Sequence, residues 1–369
     1  SLKFAYELSC AGISFPYTLV AGTQSELVNA IQCANANGAG SDTINLNGLN
    51  VPLLAATPFG DYLGRTALPQ ITTNIVIRNG TLRHDSSGGG FLNRTFSVAS
   101  TGTLNLERVV LDGDEGPSPG GAIHNSGTTN ITNCTFTGYR TSNRAGVLHN
   151  GSGATANIAN ALFYSNLAVF GHAIDSAGTV NIVNSTFDKH FSVSNFGAVL
   201  EGSGYNVRNS VVWNPNSSPT SITSGNSVSN SIVKGGYAGG TNILSVDPLF
   251  VDRTGDNFRL QAGSPALDVG LNADVPLDNT DIDSDGNITE PRPDRDLNPR
   301  VVGAQVDLGA YERQSAPPTL SINDVAQNEG NAGTTNFTFT VALSAPAGTG
   351  GVGFAIATAN GTALSSSDY

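Results

Sequence analysis

Four stretches decide the fold: GGAIHNSGTTNITNCTF from Gly120, AGVLHNGSGATANIANALF from Ala145, GHAIDSAGTVNIVNSTF from Gly171 and GAVLEGSGYNVRNSVV from Gly197. Aligned, they place Ile123, Leu148, Ile174 and Leu200 in one column, recurring every 25 or 26 residues. Ile131, Ile158, Ile182 and Val207 form a second column, and Phe136, Phe163, Phe187 and Val212 a third. Asn133, Asn160, Asn184 and Asn209 run between the last two. Weaker copies precede at Asn74 and Asn105, and another follows at Ser227. Self-similarity at a fixed period is the signature of a repeat architecture. Within each copy, short alternating stretches are broken by Gly, Ser and Asn, which reads as strands with one face inward. Such strands are too short to bury much alone, but identical coils stacked ~4.8 Å apart give each a neighbour. Residues 40–260 then supply about nine coils, with inward columns of Ile, Leu and Phe. The recurrent Asn at 133, 160, 184 and 209 is expected to form an amide ladder at a turn.

The expected fold is therefore all-β: a right-handed parallel β-helix (solenoid) with an N-terminal capping helix, plus a C-terminal immunoglobulin-like half-sandwich. Residues 1–39 form the cap segment. Thr23-Gln-Ser-Glu26 reads as a capping box, followed by Leu27, Val28, Ala30, Ile31 and Ala34 at helical spacing, so a helix over 24–36 covers the open first coil. Residues 40–313 are the β-helix with its closing segment, 314–318 a linker marked by Ala316-Pro-Pro, and 319–369 a partial sandwich. Four strands can be drawn in that last part, where a complete sandwich has about seven.

Composition narrows the function. The net charge is −12, and only Lys3, Lys189 and Lys234 are lysines. That argues against nucleic-acid binding, which needs a positive footprint. No apolar run approaches the ~18 residues of a membrane span. The chain contains no Met, which fits removal of a secretory signal. Of three cysteines, Cys10 and Cys33 are expected to pair in an oxidising compartment, and Cys134 to be a buried free thiol.

ELVNAIQCANANGAGSDTINL, the NxTF coils, VDPLFVD at 246–252, FRLQAGSPALDVG at 258–270 and NPRVVGAQVDLGAYE at 298–312 resemble secreted bacterial β-helix proteins of the choice-of-anchor Q type, which are pectate-lyase-like solenoids. LSINDVAQNEGNAGTTNFTFTVALSAPAG resembles the opening of a Calx-β domain. The first resemblance implies export and a solenoid, without one agreed activity. The second implies calcium held by acidic residues at strand ends, at motif positions that match Glu329 and Asp368.

Two constellations carry chemistry. Asp281-Ile-Asp283-Ser-Asp285-Gly286-Asn287 has the alternating carboxylates and sixth-position glycine of a calcium loop. Its twelfth position is Arg292, so Glu290, Asp294 or Asp296 has to replace the usual final acid. The second is an outward column, His124, His149, Asp175 and Glu201, with Tyr139 and His172 close in sequence. These types can bind a metal, or act as general acid and base on a glycan; outward positions also simply tolerate polar residues. Asp188-Lys189-His190 is a lesser cluster of the same kind. No nucleophile elbow or P-loop occurs, and Arg140, Arg144 and Arg208 match no lyase pattern, which leans away from an enzyme. The expected function is an extracellular structural or adhesive protein at the cell surface. Calcium is the expected ion and self-association through 315–369 the expected assembly. A polysaccharide-active enzyme, or a glycan-binding module using Trp213, is the alternative.

Overall fold

One coil can be followed from residue 123. Ile123–Asn125 leads to Thr128–Thr132, then Thr135–Thr137, then Arg140–Thr141, and Leu148–Asn150 begins the next coil directly above the first strand. Every neighbour in these ladders is parallel: Thr128–Thr132 lies between Thr103–Asp112 and Thr155–Ala159, and Thr135–Thr137 beside Leu162–Tyr164. The computed structural model thus shows a mostly β protein, a parallel β-solenoid of about seven turns. It describes residues 10–38, 40–54, 59–61, 64–85, 94–116, 120–192, 197–214, 221–314, 319–328, 330–344 and 353–357. The chain divides into two compact units, Ser1–Arg313 and Gln314–Tyr369. Seven turns replace the expected nine because coils differ in length. The first two steps, Ser41 to Asn74 and Asn74 to Thr103, are longer than the later ones, and the chain leaves the stack after Thr241–Leu244.

The inward columns fill the coil. All twelve residues of the three apolar columns are at most 1% exposed. Phe136, Phe163 and Phe187 stack ring on ring at 4.8 and 4.5 Å, one strand spacing per ring. Each buried ring contributes about 1.5–3 kcal/mol.

The corner Asn residues turn the chain between two strands. Asn133, Asn160, Asn184 and Asn209 have φ of 51°, 51°, 48° and 48°, the left-handed region that Asn tolerates better than most residues. They do not build the expected ladder. Asn160 donates to Asn133 Oδ1 at 3.2 Å, but Asn133 turns to the Pro293 and Asp294 carbonyls, and Asn209 to that of Leu271. Three of the four corner side chains, Asn133, Asn160 and Asn209, bond to the closing segment.

The N-terminal end is capped. The helix Gln24–Asn37 starts at Thr23, whose hydroxyl accepts from Glu26 N, and stops at Gly38 with φ 66°. Glu26 reaches back to the backbone N–H groups of Val20, Ala21 and Gly22 at 2.8–2.9 Å. Leu27, Ala30, Ile31 and Ala34 are fully buried in the common core, beside the first-coil strands Ser41–Asn45 and Asn50–Leu54. Cys10 and Cys33 form a disulfide that ties the preceding chain to this helix, while Cys134 is free and buried.

At the other end, the antiparallel hairpin Phe250–Asp252 and Asn257–Leu260 lays Phe250, Phe258 and Leu260 over the outward side chains Leu162, Val211 and Ile232. The motif at 298–312 is its clasp. Buried Arg300 donates to the Asp307 and Gly309 carbonyls, Glu312 accepts from Val302 N and Asp307 N, and Asp294 accepts from Glu312 N. In the second unit, Leu320–Ile322 pairs antiparallel with Val341–Leu343, the one strand pair among its described residues.

Candidate functional site

Three strand registers stack the predicted column: His124 opposite His149, His149 opposite Asp175, and Asp175 opposite Glu201. The two imidazoles lie parallel, 5.3 Å apart. His149 Nδ1 stands 3.2 Å from Asp175 Oδ2, and Arg144 Nη1 donates to Asp175 Oδ1 at 3.3 Å. The Arg144 guanidinium also lies over the Phe170 ring at 5.2 Å. Glu201 accepts from Ala198 N at 2.8 Å. The column is less open than an outward position suggests. His124 and Asp175 are buried, and His149 and Glu201 are half-buried. Glycine makes this possible: a Cβ on Gly171 would lie 2.8 Å from Asp175 Cβ. His149 and Glu201 remain partly accessible, and His149 is oriented by a carboxylate that an arginine holds in turn. Such a pair can move a proton.

The neighbours proposed from sequence do not join the column. Tyr139 points into the core, its hydroxyl 2.8 Å from Thr95 Oγ1, and burial raises its pKa well above the usual phenol range. His172 is fully buried. Asp188 is buried under a two-pronged ion pair with Arg253, which anchors the closing hairpin, and burial pushes its carboxyl up to about 6. His190 is a core residue whose imidazole burial pushes down to about 3. Trp213 is half-buried against the apolar cluster beneath the closing hairpin.

A ladder the sequence reading passed over runs along the flank. Asn105 donates to Asn74, Asn130 to Asn105, Asn157 to Asn130 and Asn181 to Asn157, each at 2.8 Å, and Asn206 to Asn181 at 3.0 Å. The signal was present: from Asn130 onward, an Asn precedes every Ile or Val of the second inward column. Beside the ladder lies a groove of about 310 Å³, walled on its far side by Pro276, Thr280 and Arg292 and floored by Thr132, Ala159 and Val183.

That far wall carries the acidic turn. Oxygens of Asp281, Asp283 and Asp285 lie within 4.8 Å of one another, and so do those of Asp278, Asp283 and Glu290. Gly286, at φ 86°, donates its N–H to Asp281 Oδ1 at 3.1 Å. The Asn287 side chain accepts from Thr289 and donates to Glu290. Of the three acids that could replace the missing final ligand, Glu290 is the one brought in. Asp296 is held by Arg259 at 2.6 and 2.7 Å, and Asp294 by the backbone N–H groups of Asp296, Asn298 and Glu312. Burial, then the nearby Asp285, Asp283 and Asp278 charges, raises the pKa of Glu290. Glu329 and Asp368 lie outside the described residues.

No known protein-family model matches this chain, and no curated protein is similar to it. No helix among the described residues is long and apolar enough to cross a membrane.

Proposed function

We propose that the chain is an extracellular structural or adhesive solenoid at the cell surface, in which the rod is a spacer and the flank and C-terminal unit make the contacts. The asparagine ladder carries this reading. One side chain is offered at the same register position in five successive strands, Asn105 to Asn206, so the flank repeats instead of converging on a reacting centre. The Cys10–Cys33 disulfide supports an oxidising compartment, and the motifs resembling choice-of-anchor Q proteins support export. Among the described residues of the C-terminal unit, Leu320, Ile322, Phe337, Phe339, Phe354 and Ile356 are exposed, and Leu320–Ile322 pairs with Val341–Leu343. Exposed apolar surface favours association between copies. Sedimentation velocity and electron microscopy of the full chain test this. Oligomers or fibres are expected, and they should dissociate in the double variant Phe337→Asp, Phe339→Asp. A monomer at every concentration, or assemblies indifferent to both substitutions, would refute self-association.

The His149–Asp175–Arg144 grouping favours a second reading, a polysaccharide-active lyase or hydrolase. Release of unsaturated or reducing sugar ends that is lost in both His149→Ala and Asp175→Ala would establish it.

A further inference from the structure

Four arginines at the closing segment face carboxylates: Arg208 meets Asp274, Arg253 meets Asp188, Arg259 meets Asp296 and Arg292 meets Asp278. Arg108 and Arg295 do not. Arg108 gives one N–H to the Ile282 carbonyl at 2.9 Å, and Arg295 gives two to the Thr135 hydroxyl at 3.1 and 2.8 Å. A guanidinium has five N–H groups, and neutral acceptors leave its charge in place. Among the described residues neither arginine forms an ion pair, in a chain whose net charge is −12. Both are half-buried, and both line one cleft of about 640 Å³ that runs from Asn47 past Asn79 to Arg108. Asp296 also lines it, but both its oxygens accept from Arg259. The position of Arg108 is itself unusual. The register sets it between Asn79 and Asn133, at the corner that Asn160, Asn184 and Asn209 occupy in later coils. Its φ is 55°, the left-handed region that Asn tolerates and a long side chain rarely adopts. Docking does not call for arginine there, since Asn133, Asn160 and Asn209 bond to closing-segment carbonyls from the same corner. What arginine adds is charge, and a residue kept against the local preference points to function.

We propose that this cleft binds the oxyanion of an acidic sugar, a carboxylate or a sulfate, with Arg108 and Arg295 as its cationic partners. Arginine pairs with such groups through parallel N–H donors and stays charged at every working pH. The rest of the lining sets the class of ligand. Asn45, Asn47 and Asn79 bring amides and Thr81 a hydroxyl, which suit the hydroxyls of a sugar. No aromatic side chain lines the cleft among the described residues, so nothing there stacks a nucleobase. The partial burial of the two arginines matters, because a cation drawn partly out of water attracts an anion more strongly than one in open solvent. The cleft shares no residue with the groove beside the asparagine ladder or with the His149 column, so the proposal rests on neither reading given above.

The test is calorimetric titration of the full chain at low ionic strength with D-glucuronate and with sulfated D-glucose, D-glucose serving as the neutral control. At least one acid should bind and glucose should not, and the tighter of the two acids names the oxyanion. Arg108→Asn installs the residue that the corner otherwise carries, so it should keep the melting temperature of the wild type and weaken the acid at least tenfold. Arg295→Gln should weaken it by a similar factor; if that variant fails to fold, Arg108→Asn decides alone. Arg140→Gln removes one positive charge outside the cleft and should bind like the wild type. Sodium chloride at about 0.5 M should weaken binding, as screening requires. No binding of either acid, equal binding of glucose, an equal loss in Arg140→Gln, or unchanged affinity in Arg108→Asn would overturn the proposal. None of these results bears on self-association, which is read separately.

Discussion

His190 gives the sharpest handle on the interior. It is fully buried, and burial holds its imidazole neutral, with a pKa pushed from 6.5 down to about 3. In the unfolded chain the same ring takes a proton near pH 6.5. Below that pH the unfolded state binds the extra proton. The stability this residue contributes is therefore complete above pH 6.5 and is lost as pH falls toward 3. Each pKa unit is worth about 1.4 kcal/mol, so lowering the pH from 7.5 to 4.5 costs about 2.7 kcal/mol through His190 alone. The whole protein hides this slope. Asp188 and Glu312 are pushed up by burial to about 6 and about 7, and their contributions run the other way, growing as pH falls through those values. A comparison of variants isolates the histidine. Urea unfolding of the wild type and His190→Gln, followed by the fluorescence of the single Trp213, gives a stability difference at each pH. His190→Gln should be the less stable of the two at pH 7.5 and recover about 2.7 kcal/mol relative to the wild type by pH 4.5. A difference that stays constant within about 0.5 kcal/mol would refute a neutral, buried imidazole.

Other outcomes follow from packing and pairing. Phe163→Ala removes the middle ring of the stack and should cost about 4 kcal/mol, whereas Phe163→Leu, which keeps most of the volume, should cost about 1 kcal/mol by the same urea assay. Asn157→Ala breaks two ladder bonds at an exposed site and should cost about 1 kcal/mol, roughly twice the cost of Asn206→Ala at the ladder's end; equal costs would count against a ladder. Arg300→Met leaves Glu312 and Asp307 without their buried cation and should cost about 3 kcal/mol, seen as a fall in the denaturation midpoint.

The solenoid was legible because its columns admit one arrangement. Ile123, Leu148, Ile174 and Leu200 can all be buried only if their strands stack in register. The capping helix was legible for a local reason, since Thr23 and Glu26 are its start signal. The flank ladder was not, because Asn105 and Asn130 stand at outward positions where any polar residue is tolerated, while the corner Asn residues stood out by recurrence. Their actual partners, Pro293 and Asp294, lie 160 residues from Asn133, a distance over which no local pattern reports. The alternating acids of the turn were visible as a motif, but Asp278 lies outside its spacing and joins only through the fold. The outward column was foreseen as a line of residues. Its burial was not, since it depends on the tight approach of Gly171.

The asparagine ladder also has a direction. Every amide donates to the coil before it and accepts from the coil after it, so the bonds run head to tail and never reverse. Their dipoles add along the rod, leaving donor character at the Asn74 end and acceptor character at the Asn206 end. The flank is thus an arrow, and a linear polymer that has its own two unlike ends would not lie along it equally well both ways round. A surface built from one repeated, uncharged side chain can in this way orient a partner without a single ion pair.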